Sequence, residues 1–359
     1  MFATDCACGT AVTGNTMGRR GFLGAMGALA AGSMLGCQAT ADTVAGGSQP
    51  IAHRIDIHHH VMPPGYVAEL RKRGLGGAPA WTPQRSLEDM DKNAIATSVV
   101  ALMQPGAYFN DRDFDRRMAR EANEYAAQMA RDFPGRFGSF ATLPLADVDG
   151  SLREIEHAFG ALKADGIGLM TSYGDRYLGD PHFAPIWDEL NRRGATIYTH
   201  PLLPACCRNP IAGLPPSAIE YGTDTTRTAA SLLFTGTAWR YPNIKWILSH
   251  SGGSLPFLWS RFTRQETDMK DAAKKVLPDG VRAQAQRFYY DTAQGHHEGA
   301  IAALRALIPV SQILYGSDFP YRPGAEVTGG LDARAFSRDE RRAIERGNAL
   351  RILPGLRTG

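Results

Sequence analysis

A chain of 359 residues with 43% hydrophobic and 9% aromatic residues has the apolar content of a folded domain with a substantial core. Its 39 basic and 36 acidic residues leave a formal charge of +3 with no long single-sign run, so the sequence carries no electrostatic footprint for nucleic acid or an anionic membrane surface. A small molecule is the expected partner.

Residues 1–41 read as an address. Arg19 and Arg20, then Gly21-Phe22-Leu23, then an apolar run from Gly24 to Gly36, have the order of a twin-arginine export signal. The run is too short for a permanent membrane span. Two exits are open. Cys37, ending "MLGC", resembles a lipoprotein cleavage box in which Met34 and Leu35 are poor choices, and Ala39-Thr40-Ala41 fits an ordinary small-x-small cleavage site. The expected location is therefore the periplasm, by release or by a lipid anchor at Cys37, and translation starts at Met1 or at Met17. Three of the five cysteines (Cys6, Cys8, Cys37) lie in this segment. The other two, Cys206 and Cys207, are neighbours that could bridge only through a strained ring, so no disulfide framework stabilises the fold.

After a linker at 42–50, short β-type runs alternate with helical-period segments to the end of the chain, in a domain expected over 51–359. The expected strands are Ile51–Ile57, Thr97–Leu102, Arg136–Leu143, Gly166–Thr171, Ala195–Thr199, Ile244–Ser249, Arg287–Tyr290 and Gln312–Tyr315. The expected helices are Phe114–Asp132, Leu152–Ala164, Phe183–Arg193, Thr225–Trp239, Leu255–Lys274, Gly299–Leu307 and Asp339–Asn348. Eight strands followed by helices, without a Gly-rich phosphate turn, predict an α/β fold of the (β/α)8 TIM-barrel type rather than an open doubly wound sheet. The longest irregular stretch, His200 to Thr223, reads as a wall of the pocket.

In such a barrel the reactive groups gather at the carboxyl ends of the strands. There the sequence places His58 and His60, His200, His250, Asp291 and Asp318. Strand alternation turns His58 and His60 to one face and His59 to the other, with Asp56 one layer deeper on the ligand face. Imidazole and carboxylate donors suit a borderline divalent ion, zinc first and manganese as the alternative, with a position left open for water or substrate. His53, His157, His182, His296 and His297 read as structural or surface residues. Asp291 either orients a ligand histidine through its other ring nitrogen or caps the next helix. Trp81, Phe319 and Tyr321 are candidates for an aromatic pocket.

The motifs "IDIHHH", "YTHP", "LSHSGG" and "YGSDFP", in this order, resemble the amidohydrolase superfamily, in its branch typified by aminocarboxymuconate-semialdehyde decarboxylase. The segments "TSYGDRYLGDPHFAPIWDELNRRGATIYTHP" and "DTTRTAASLLFTGT" are similar to 6-methylsalicylate decarboxylases and their bacterial relatives. The resemblance implies one divalent metal on His58, His60, His200 and Asp318, with His250 and Asp318 catalytic. It also implies that Arg261 reaches a neighbouring subunit's site in a homodimer to hold a substrate carboxylate, and that Tyr321 lines the substrate pocket. Strand four, "GIGLMTSYG", lacks the lysine that bridges two metals in binuclear members, so a single ion is expected.

The implied reaction is metal-dependent, non-oxidative decarboxylation of a hydroxylated aromatic acid such as 6-methylsalicylate. Asp318 would carry the proton, His250 would orient it, and Arg261 would hold a carboxylate bidentately. A metal-dependent hydrolase of a lactone, ester or amide remains the alternative, because both reactions use the same site.

Overall fold

The computed structural model describes residues 53–75, 79–208 and 211–358. The export segment, the linker and the first two residues of the expected first strand lie outside the described residues.

Eight strands form one parallel sheet in sequential order: β1 (Arg54–Val61), β2 (Ile95–Leu102), β3 (Phe137–Thr142), β4 (Gly166–Met170), β5 (Thr196–His200), β6 (Lys245–Leu248), β7 (Tyr289–Asp291) and β8 (Ile313–Leu314). Each pairs in parallel with the next. Sequences such as "IATSVVAL" in β2 are buried nearly throughout, as expected for parallel strands covered on both faces. Helices pack outside them. Arg112–Asp132 starts at Asp111, whose side chain accepts the Phe114 N–H at 3.2 Å, and it buries Phe114, Met118, Ala122 and Met129 at spacings of four and seven.

The barrel interior is packed by Ile55, Ile57, Val99, Phe140, Tyr198 and Ile247. Ala349, Ile352, Leu353 and Leu356 from the C-terminal segment join the same cluster, and Thr196 donates to the Ile352 carbonyl at 2.7 Å. The C-terminal segment thus stoppers the lower end, and the polar chemistry is confined to the upper one.

The ring is completed where the chain beyond β8 meets β1. Ile57 N–H donates to the Tyr315 carbonyl at 3.1 Å, Asp318 N–H to the His58 carbonyl at 2.8 Å, and His60 N–H to the Phe319 carbonyl at 2.8 Å. This seam sets Asp318 beside the two histidines of β1.

Several expectations are corrected. Helices Pro64–Lys72 and Pro83–Lys92 lie between the first two strands, where no helix was expected. In each, proline occupies the first helical turn, where its missing N–H costs nothing, and Thr82 caps the second by accepting Arg85 N–H at 3.2 Å. The expected helix Thr225–Trp239 is instead Glu220–Phe234 and Thr237–Arg240, separated at Gly236 with φ 78°. Leu255–Lys274 is likewise split around Lys270 (φ 52°) into Trp259–Met269 and Asp271–Val276. Asp56 does not face the ligand cluster. The register of β1 against β2 shifts between Asp56 and His59, and the Asp56 carboxylate turns to the seam. There it accepts Ser317 N–H at 2.9 Å and Ser317 O–H at 2.6 Å.

Candidate metal centre

The strand ends deliver five polar side chains to one place. His58, His200, His250 and Asp318 each offer one ligand atom, and these four atoms lie within 4.8 Å of one another. His60 joins from the side, with Nε2 3.1 Å from Asp318 Oδ1. His58 Nε2 is 3.2 Å from the same oxygen, and His250 Nε2 is 3.7 Å from Oδ2. His59 is turned away as alternation requires. It hydrogen-bonds Asp56 at 3.1 Å and Ser86 at 2.8 Å and stacks on Phe319 with ring centroids 5.0 Å apart.

Two of the imidazoles are held in one tautomer by acceptors behind them. His58 Nδ1–H donates to Asp291 Oδ2 at 2.8 Å, and His200 Nδ1–H donates to the Pro201 carbonyl at 2.8 Å. Both therefore turn Nε2 to the cluster, His200 as a lone pair and His58 as one once it has given up a proton. His58 Nε2, His60 Nδ1 and His250 Nδ1 are buried without a hydrogen-bond partner. Buried polar atoms left unpaired are costly, and several imidazole nitrogens converging with a carboxylate are what a divalent cation would satisfy. The donor set fits the metal that the sequence motifs imply.

Of the two roles open to it Asp291 takes the first, because the helix after β7 is capped by His297. While Oδ2 fixes His58, Oδ1 accepts the backbone N–H of His250 at 2.9 Å and of Ala293 at 3.0 Å. Asp291→Asn keeps an oxygen for the two backbone donors but offers His58 a second donor where it needs an acceptor. The expected result is a roughly 10–100-fold weaker affinity for the metal, read by titration against a competing chelator, with little change in melting temperature.

Charge in the cluster is set by burial and by neighbours. Burial resists the charged form of Asp318, but the charge of His58 opposite it and the close approach of His250, His58 and His60 outweigh this and hold the carboxyl well below its usual range. Burial, with His60, His58 and His250 beside it, keeps the His200 imidazole well below its ordinary value, so it is neutral and ready to ligate. His58 behaves oppositely. Burial disfavours its charge, but Asp291 and Asp318 overcome this and push it up to about 10.

A cation must therefore displace a proton from His58 at neutral pH. Affinity for the metal is expected to rise about tenfold per pH unit between pH 6 and 8, with proton release visible in calorimetry across buffers of different ionisation enthalpy. The sign for the metal-free protein is the reverse. A folded-state value raised above the unfolded 6.5 gives stability that is fully present below pH 6.5 and is lost as pH rises through about 10.

The cluster forms the floor of a cavity of about 990 Å³ that also exposes His200, His250 and Asp318 to its contents. Met103, Tyr108, Phe109, Tyr221 and Tyr321 give it aromatic and soft walls, and Leu202, Leu203, Ala205 and Pro215 come from the long segment after β5. Gln104 hydrogen-bonds the Tyr221 hydroxyl across one side. Tyr321 is the one aromatic candidate that lines the cavity. Trp81 instead donates to Ser86 at 2.8 Å and packs in the core, and Phe319 lies behind the seam against His59. Arg261 is exposed on Trp259–Met269 and does not line this chain's cavity, whereas Arg73, Arg208 and Arg322 do. Cys206 and Cys207 are free, their sulfurs 2.7 Å apart, between the wall residues Ala205 and Arg208.

Sequence reading passed over Gln294, whose amide donates to Asp318 Oδ2 from the turn after β7. Its only signal was a polar side chain three residues beyond a strand end. Five non-glycine residues at this end have left-handed backbone: Asn110 (φ 61°), His250 (54°), Ser251 (56°), Gln294 (50°) and Asp318 (66°). Such conformations cost about 1–3 kcal/mol each and gather at functional sites.

A family model described as amidohydrolase matches residues 55–355. Decarboxylase yanB of Aspergillus niger is 36% identical over 323 residues, covering 84% of this chain and 87% of its own. The 6-methylsalicylic acid decarboxylase of Penicillium expansum is 34% identical over 315 residues, covering 85% and 97%. Among solved structures, 5-carboxyvanillate decarboxylase of Novosphingobium aromaticivorans, complexed with manganese and 4-hydroxy-3-methoxy-5-nitrobenzoic acid, superposes with a TM-score of 0.78 at 22% identity, over 86% of this chain and 97% of that one.

Proposed function

We propose, from the premise that this chain belongs to the amidohydrolase family, that it is a metal-dependent carboxy-lyase removing carbon dioxide from a hydroxylated aromatic acid of the 6-methylsalicylate kind. The observation that carries the reading is the identity of 34–36% to decarboxylases across 84–85% of the chain. The His/Asp cluster on the floor of an aromatic-walled cavity is the site that such a reaction needs.

A divalent ion on His58, His60, His200 and Asp318, zinc or manganese, would supply positive charge to a substrate's carboxylate and ortho oxygen. The protein's own groups do the rest. Asp318, a carboxylate at rest, first takes the proton of the substrate's ortho hydroxyl and then delivers it to the ring carbon bearing the carboxylate. The bond to that carboxylate then breaks, its electron pair returns to the ring, and carbon dioxide leaves with aromaticity restored. His250, 3.7 Å from Asp318 Oδ2 and barely exposed, steadies that carboxyl through the transfer. Tyr321, with its ring 5.2 Å from that of His60, forms the adjoining wall against which an aromatic ring can pack.

Arg261 holds the substrate carboxylate of a second subunit in a homodimer. In support, Arg261 is exposed and has no carboxylate within 4 Å among the described residues, and Phe257 nearby is 87% exposed. Residues 1–41 direct export to the periplasm, with release or lipidation at Cys37. Cell fractionation of the full chain beside an Arg19→Lys, Arg20→Lys variant tests this, and a cytoplasmic wild-type protein overturns it.

The deciding experiment incubates zinc- and manganese-loaded protein with ortho-hydroxybenzoates. Release of carbon dioxide, with 3-methylphenol as the product from 6-methylsalicylate, is the expected outcome. Turnover only of lactones, esters or amides would establish the hydrolase alternative instead.

A further inference from the structure

Gln294 occupies a conformation that glycine would take more readily, in a turn that cannot easily move. Ala293 N–H is held by Asp291 Oδ1 at 3.0 Å, and Gly295 N–H by the Thr292 carbonyl at 3.1 Å. Ser251 O–H donates to the Asp291 carbonyl at 3.1 Å, and a Cβ on residue 295 would collide with the Ser251 hydroxyl oxygen. The turn is clamped between β7 and the segment after β6. At φ 50°, Gln294 carries backbone strain that a surface loop would shed.

The side chain held in this way reaches one atom. Its Nε2–H donates to Asp318 Oδ2. An ionised carboxylate can only accept, so the amide must present nitrogen rather than oxygen. The other carboxylate oxygen, Oδ1, lies 3.1 Å from His60 Nε2 and 3.2 Å from His58 Nε2. The two oxygens of Asp318 are thereby assigned to different neighbours, Oδ1 to His58 and His60 and Oδ2 to Gln294 and, at 3.7 Å, His250 on the cavity side.

We propose that Gln294 is a positioning residue for the reaction: its amide fixes the Asp318 carboxylate so that Oδ2 faces the cavity beside His250 while Oδ1 faces His58 and His60. The inference rests on the decarboxylase reading for its effect on turnover, but the geometry it describes belongs to Asp318 whatever the substrate. Without the amide the carboxylate can rotate about its last torsion and turn both oxygens toward the cluster.

The test uses the full chain as Gln294→Met, which keeps side-chain length without a hydrogen bond, and Gln294→Gly, which also removes the backbone strain. Both are expected to lose about 10–100-fold in kcat with KM within about twofold and metal stoichiometry unchanged. Gln294→Gly is expected to melt no lower than wild type, which separates a positioning role from a structural one. Cobalt-substituted protein adds a readout independent of turnover: the visible band of both variants should shift from that of wild type. Unchanged kcat with an unchanged cobalt band overturns the proposal, as does loss of the ion together with activity. If wild type releases no carbon dioxide from any hydroxybenzoate, the function reading fails, and the cobalt band alone decides on Gln294.

Discussion

His58→Ala and His60→Ala are each expected to yield folded protein that has lost its divalent ion and its turnover, whereas His59→Ala keeps the ion. The three residues are adjacent and all fully buried, so neither position in the chain nor exposure separates them. Direction does. His58 and His60 place Nε2 within 3.2 Å of Asp318, while His59 spends its ring nitrogens on Asp56 and Ser86. A four-ligand site of about 10–16 kcal/mol loses roughly a quarter of that with one ligand, on the order of a hundredfold or more in affinity. His59→Ala instead orphans two buried partners at about 1–3 kcal/mol each and lowers the melting temperature. Elemental analysis of dialysed protein, with thermal denaturation on the same samples, reads both effects. An ion retained by His60→Ala would remove that residue from the ligand set.

Asp318→Asn is expected to lower kcat by about 10²–10⁴ while most of the bound metal is retained. Asparagine preserves the shape and one oxygen on the histidine side, but it cannot carry a proton to carbon. His58, His250 and His60 hold the carboxyl ionised against burial, so the change removes a charge that the site is built around. Metal content measured beside carbon dioxide release separates this outcome from collapse of the site. Full activity in this variant would assign proton delivery elsewhere, with His250 the next group in reach.

Much of this centre was legible in the sequence because a barrel converts position along the chain into position in space. His58, His60, His200, His250, Asp291 and Asp318 all follow strand-like runs, and the strand ends do converge. The two early helices were hidden by proline, whose meaning depends on whether it opens a helical turn or interrupts one. The breaks at Gly236 and Lys270 were hidden by continuous helical periodicity on either side. Asp56 was misplaced because simple alternation assumes a regular strand, and β1 shifts register there. Gln294 was invisible because its importance lies in which oxygen it touches, and no spacing rule encodes that.

The last strand is also the weakest. Only Ile313 and Leu314 form β8, so the ring is held shut at the seam mainly by the polar contacts of residues 315–319 with β1. His60 and Asp318 face one another there from positions 258 residues apart, and bringing such distant ends together costs about 5 kcal/mol of chain entropy. A metal ion ligated from both sides would tie off this long loop. Chelation should therefore act first on the rate of unfolding, with amide exchange accelerating at Ile57, His60 and Asp318 while the β3–β5 ladder stays protected. In kinetic terms, the cofactor site doubles as the clasp of the barrel.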